Sequence, residues 1–223
     1  MILRRLASLG IAALASATCF AAEPTQTWQT AFPRDAVAGQ NIYFRARYVD
    51  ANGVEHRQEV WREGSSRLRR VTDDRLDLIV ERDADGEYQY RLTDRDRHIM
   101  VLADRTSLYR AGIFSDWEGL AYALSEPRAE HELRAERASE QAAAASCASM
   151  TLIVKTPVEA ASRICWSSQW GLPLSIQTRR GDDWLTQFAI TEVRAFQPSD
   201  AVFQVDPAGY VEMDTRAGDD LAD

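Results

Sequence analysis

The sequence predicts a mainly β (α+β) fold: a single, strongly curved antiparallel sheet, an unclosed half-barrel, with one or two helices covering its concave face. Three observations carry this. Short segments of alternating polarity follow one another from residue 41 to residue 102, and again from 150 to 205. Asp/Asn/Gly turns separate the early ones at short intervals, as in a meander. Between the two runs only one segment has a clear helical stripe, so a long sheet has little helix to cover its apolar face. Curling the sheet around that helix is the economical solution, and it leaves a concave apolar interior of the kind that holds a ligand.

From the N-terminus, residues 1–22 have the layout of a secretory signal peptide. Arg4 and Arg5 precede an uncharged, mostly apolar run from Leu6 to Phe20, and small residues follow. Cleavage is expected near Ala21 or Ala22. The run is too short to span a bilayer comfortably, which takes roughly 20 apolar residues. Cys19 lacks the neighbours of a lipid-attachment site and belongs to the discarded peptide. Residues 23–40, with Pro24, Pro33 and Gly39, form a leader segment with room for a short helical turn.

The half-barrel domain is expected over 41–210. Ile42, Phe44, Ala46 and Tyr48 share one face of the first strand, and Asp50-Ala51-Asn52-Gly53 turns into a return strand over Val54 to Glu63. Further strands are predicted at Arg67 to Val71, Leu76 to Glu81, Tyr88 to Leu92 and His98 to Leu102. Trp117, Leu120, Ala121 and Leu124 then fall at helical spacing within Ser115 to Leu124. Glu130 to Ala145, rich in Ala, Glu and Arg, has a weak apolar face and reads as an exposed, marginal segment, either helix or mobile loop. Strands resume at Met150 to Val154, Arg163 to Trp166, Leu172 to Thr178, Trp184 to Val193 and Ala201 to Val205. Residues 211–223 are an acidic tail expected to be disordered.

Composition excludes some functions. Loss of Arg4 and Arg5 with the signal takes the formal charge from −8 to −10, which argues against a nucleic-acid partner. No later segment is apolar enough for a transmembrane helix, so none is expected after signal cleavage. Cys147 and Cys165 remain as an even pair in an exported chain, which reads as one disulfide closing a loop of about 18 residues and contributing ~3 kcal/mol. The three histidines, His56, His98 and His131, are dispersed, and no metal site or cofactor is expected. Asp73-Asp74, Asp94 to Arg97 and Asp182-Asp183 fall at turns, where Asp serves local backbone bonds. No Gly-x-Ser-x-Gly elbow occurs, and no catalytic residue is assigned. The aromatic residues are more informative. Phe44, Tyr48, Tyr88, Tyr90, Trp117, Leu120, Trp184 and Phe188 are candidates to line the cavity, because the core face of a half-barrel is also its binding face.

The stretch Gly171-Leu172-Pro173-Leu174-Ser175-Ile176, the strand Trp184 to Val193, and Pro198-Ser199-Asp200-Ala201-Val202-Phe203 with Asp206-Pro207 resemble the C-terminal half of the periplasmic lipoprotein carriers, the Lol-type superfamily. The first hairpins from Ile42 also fit. The likeness covers about 170 residues and is specific over about 40, and the cysteine pair and Arg163 to Trp166 depart from it. The resemblance implies an unclosed barrel with a helical lid, a periplasmic location, and a binding or carrier role toward a lipid, acyl chain or lipidated protein. The chain reads as a distant member and not an enzyme. Two alternatives stand beside that reading: an envelope interaction module with a closed core and a protein partner, and an envelope enzyme built from dispersed Asp and Arg.

Overall fold

The computed structural model describes residues 26–110, 117–136, 147–155 and 159–216. The signal peptide, Ser115 and Asp116, Arg137 to Ala145 and the last part of the tail lie outside them. The strands are β1 (Asn41–Val49), β2 (Glu55–Glu63), β3 (Arg67–Thr72), β4 (Leu76–Arg82), β5 (Tyr88–Asp94), β6 (Ile99–Asp104), β7 (His131–Ala135), β8 (Ala148–Val154), β9 (Ala160–Ser167), β10 (Leu172–Arg180), β11 (Asp183–Ala195) and β12 (Val211–Asp214). Three short helices accompany them: α1 (Trp28–Ala31), α2 (Arg105–Arg110) and α3 (Trp117–Tyr122).

All twelve strands belong to one curved, unclosed sheet in the order β12-β6-β5-β4-β3-β2-β1-β11-β10-β9-β8-β7. Two antiparallel meanders, β1 to β6 and β7 to β11, are joined where β1 pairs with β11. The register puts Ile42, Phe44, Ala46 and Tyr48 of β1 opposite Arg62, Val60, Gln58 and His56 of β2, so same-parity residues form continuous rows across the sheet. On the inner face these rows converge on a cluster that includes Ile42, Phe44, Val60, Leu68, Val80, Tyr90, Leu120, Leu172 and Phe188. A second cluster under β8 and β9 holds Trp28, Phe32, Leu133, Met150, Ile164 and Trp166. Cys147 and Cys165 are disulfide-bonded, as expected. Gly171 turns β9 into β10 at φ +61°, and a Cβ there would come within 2.2 Å of Val37 Cγ2. Only glycine fits that approach.

Three expectations are corrected. Within Glu130 to Ala145, residues His131–Ala135 form edge strand β7 on β8. Its alternation is short but real: Leu133 is fully buried opposite Leu152, while Arg134 Nε donates to Glu132 Oε1 at 2.7 Å outside. Ala201 to Val205 is not a strand. Asp200–Phe203 is a 3-10 turn, because Phe203 buries under the Arg67 guanidinium, 4.6 Å from its ring, and Arg69 Nη1 donates to Val202 O at 2.7 Å. These contacts carry the C-terminal segment across the outer face of β3. The tail is not wholly irregular either: Val211–Asp214 runs parallel to β6, with Val211 N donating to His98 O at 2.8 Å and Thr215 N to Leu102 O at 2.8 Å. Helix α2 was not expected. Asp104 at its start accepts from Ser107 N at 2.7 Å, the bond of an N-terminal cap.

Candidate functional site: the concave face and its roof

The inner face of β1 to β6 and β11 is roofed by α3. The helical stripe turns down as predicted: Leu120, Ala121 and Tyr122 are buried, while Glu118 faces out. Trp117 lies flat on Tyr88, their rings 4.8 Å apart and 8° from parallel. Of the eight cavity candidates, Phe44, Tyr90, Leu120 and Phe188 are buried in the central cluster, and Tyr48, Tyr88 and Trp117 are half-buried around it. Trp184 stands apart. It sits on the β10–β11 hairpin, its ring 4.3 Å from the Arg163 guanidinium.

Two arginines hold the roof, and sequence reasoning did not single them out. Arg34 Nη2 donates to Leu124 O at 2.5 Å, and Arg34 also pairs with Glu118. Arg62 rises from β2 on the inner face with no exposed surface, and its Nη1 donates to Ala121 O at 2.9 Å. The Tyr122 ring lies between the two guanidinium groups, 4.8 Å from Arg34 and 4.6 Å from Arg62. Arg62 has no carboxylate partner among the described residues, and its Nε has no hydrogen-bond partner. Burial pushes its pKa down to about 10.

A third inner-face arginine, Arg70 on β3, is flanked by Val60 of β2 and Leu78 of β4. Parity was the available signal for both. Arg62 is two residues from Val60, and Arg70 two from Leu68, so each shares a face with core residues. At the open ends of β1 and β2, His56 stacks on Tyr48 at 5.1 Å, bonds Asp73 Oδ2 through Nδ1 at 2.6 Å, and lies 3.5 Å from Asp50 Oδ2. These carboxylates hold the His56 pKa above its ordinary value, the Asp73 bond most strongly.

The outer face is polar. Asp77, fully buried, accepts from Arg69 Nε at 2.9 Å and Arg95 Nη2 at 2.7 Å. A groove of about 800 Å³ over β1 and β2 is lined by Arg45, Arg47, Glu55, Arg57 and Glu59, alternating charges that pair across strands. No grouping of three metal-ligating side chains occurs among the described residues.

No family model matches the chain, and no curated protein matches it. Its fold is similar to that of MucB. The crystal structure of MucB superposes with a TM-score of 0.48 at 16% identity, over 78% of this chain and 60% of that one. The Pseudomonas aeruginosa MucA/MucB complex gives 0.37 at 18% identity, over 78% and 59% of the two chains. MucB in complex with MucA(peri) gives 0.33 at 17%, over 74% and 54%. The chain thus spans about 60% or less of the length of these structures.

Proposed function

We propose that this chain is an exported, periplasmic binding protein that holds an acyl chain, free or attached to a lipid or lipidated polypeptide, against the concave face of its half-barrel. The observation that carries this is the construction of the roof. One six-residue helix covers an inner face of aromatic and branched side chains, and side-chain bonds from Arg34 and Arg62 to backbone oxygens tie down the roof. Displacing α3 uncovers Phe44, Tyr90 and Phe188 and leaves Tyr48, Tyr88 and Trp117 around the opening. An entering chain replaces the contacts the helix gives up, each buried CH₂ contributing ~0.8 kcal/mol. The role is binding and not catalysis. The acidic groups sit in turns or pair with arginines, as Asp77 does with Arg69 and Arg95.

Native mass spectrometry of the mature protein, gently purified from an envelope fraction, tests this. A co-purifying lipid or acyl species is expected, as is a rise in melting temperature on adding acyl ligands. Absence of both would overturn the proposal.

A second reading, a module that binds a protein partner, is favoured by the sheet edge. Strand β7 ends the sheet, with its outer backbone edge paired to no described strand. Such an edge accepts an added strand from another chain.

A further inference from the structure

Arg70 is the unusual group on the concave face. Its guanidinium is desolvated by burial, and no described side chain or backbone oxygen accepts a hydrogen bond from it or pairs with it. Every other inner-face or roof arginine has a carbonyl or carboxylate partner: Arg62 has Ala121 O, Arg34 has Leu124 O and Glu118, and Arg82 Nε has Gly86 O at 3.0 Å. Around Arg70 the register places Val60 and Leu78 directly beside it, and Gln58 beside Thr72 one row further along. Tyr48 is the group that interacts with its charge, and Tyr48 reaches the Thr72 side chain. The neighbourhood is therefore an apolar wall with hydroxyl and amide donors and one unneutralised cation. The nearby carboxylates are engaged elsewhere: Asp73 and Asp50 with His56, Asp94 with the backbone of Asp96 and Arg97.

A buried cation without a partner is costly, and the cost is recovered when an oxyanion arrives that can accept its hydrogen bonds. We propose that Arg70, with Tyr48 and Gln58, is the head-group site of this binding protein, and that it takes an oxyanion, carboxylate or phosphate, carried by the apolar chain lying along Val60, Leu78 and Phe188. This rests on the acyl-binding reading above and names the polar end of that ligand. Arginine suits the task because its planar fork meets two oxygens at once.

The test uses the mature full chain, tryptophan fluorescence, and two probes of equal chain length: dodecanoate and its uncharged methyl ester. The wild-type protein is expected to bind dodecanoate at least about tenfold more tightly than the ester, the low end for a hydrogen bond to a charged group. Arg70→Met is expected to bring the two affinities to within about twofold while leaving ester binding unchanged. Acetate and inorganic phosphate, offered alone, separate the sources of the anion. Competition by either at concentrations comparable to dodecanoate would mean a free-anion site and overturn the chain-borne assignment. Equal wild-type affinity for the two probes, or discrimination that persists in Arg70→Met, would overturn the head-group site but leave the acyl reading standing. Binding of neither probe would remove both. Melting adds an independent check. Losing an uncompensated buried charge should leave Arg70→Met at least as stable as the wild type, so a marked loss of stability would reveal a satisfied, structural guanidinium and refute the proposal.

Discussion

Arg62 offers the sharpest test of how the roof is held. The guanidinium has no exposed surface, and burial pushes its pKa down to about 10, which corresponds to roughly 3 kcal/mol against the charged form in the folded state. Against that cost stands the 2.9 Å bond to Ala121 O, worth about 1.5–3 kcal/mol for a charged donor, and the Tyr122 ring at 4.6 Å, worth about 1 kcal/mol. The two sides nearly cancel. Arg62→Met keeps most of the volume and removes both sides together, so urea unfolding at neutral pH should change by no more than about 1.5 kcal/mol. Arg62→Ala also empties the space under α3 and should cost about 2–5 kcal/mol. A Met variant as unstable as the Ala variant would refute this balance and make the guanidinium a net stabiliser of the closed roof.

Three further outcomes are expected. Asp77→Ala strands Arg69 and Arg95 beside a buried site and should cost about 3–5 kcal/mol, lowering the melting temperature by about 6–20 °C; a shift of about a degree would show the network to be dispensable. Replacing both Cys147 and Cys165 by Ala opens a link of sequence separation 18 and should remove ~3 kcal/mol, read from urea midpoints beside the reduced wild type. His56 has a folded pKa raised by Asp73 and Asp50, so its contribution is complete below the ordinary histidine value and is lost as pH rises through the folded value. His56→Gln should therefore lower the melting temperature more near pH 6 than near pH 9, and an equal loss at both would exclude the ion pair as the cause.

The β1–β6 meander was legible because each strand alternates cleanly and each turn carries Asp, Asn or Gly. Asp50 shows why: its carboxylate accepts from Asn52 N at 2.9 Å and Val54 N at 2.8 Å, so the turn closes on its own side chain. Errors arose where the signal was tertiary. In β7 one buried leucine outweighs the helical composition of the surrounding Ala/Glu/Arg stretch. At Asp200–Phe203 the alternation of Val202 and Phe203 was read as a strand, whereas Phe203 is held by an arginine far away in sequence. Strand β12 has no apolar face to announce it, since Val211 and Met213 are exposed and only backbone bonds fix it. For the site, the apolar members were visible by parity and the cations were not. Arg62 and Arg70 occupy core-facing positions that a charge normally avoids, and what makes that tolerable, the roof carbonyl over Arg62 and the vacant surroundings of Arg70, exists only once the sheet has curled.

Photocrosslinking with a diazirine-bearing fatty acid, followed by peptide mapping of the labelled positions, tests most directly whether the concave face is the binding surface. Labels are expected on the strands and helix carrying Tyr48, Leu78, Tyr88, Trp117 and Phe188, suppressed by unlabelled fatty acid. Labels confined to the outer face of β1 and β2, or none that unlabelled ligand suppresses, would contradict it.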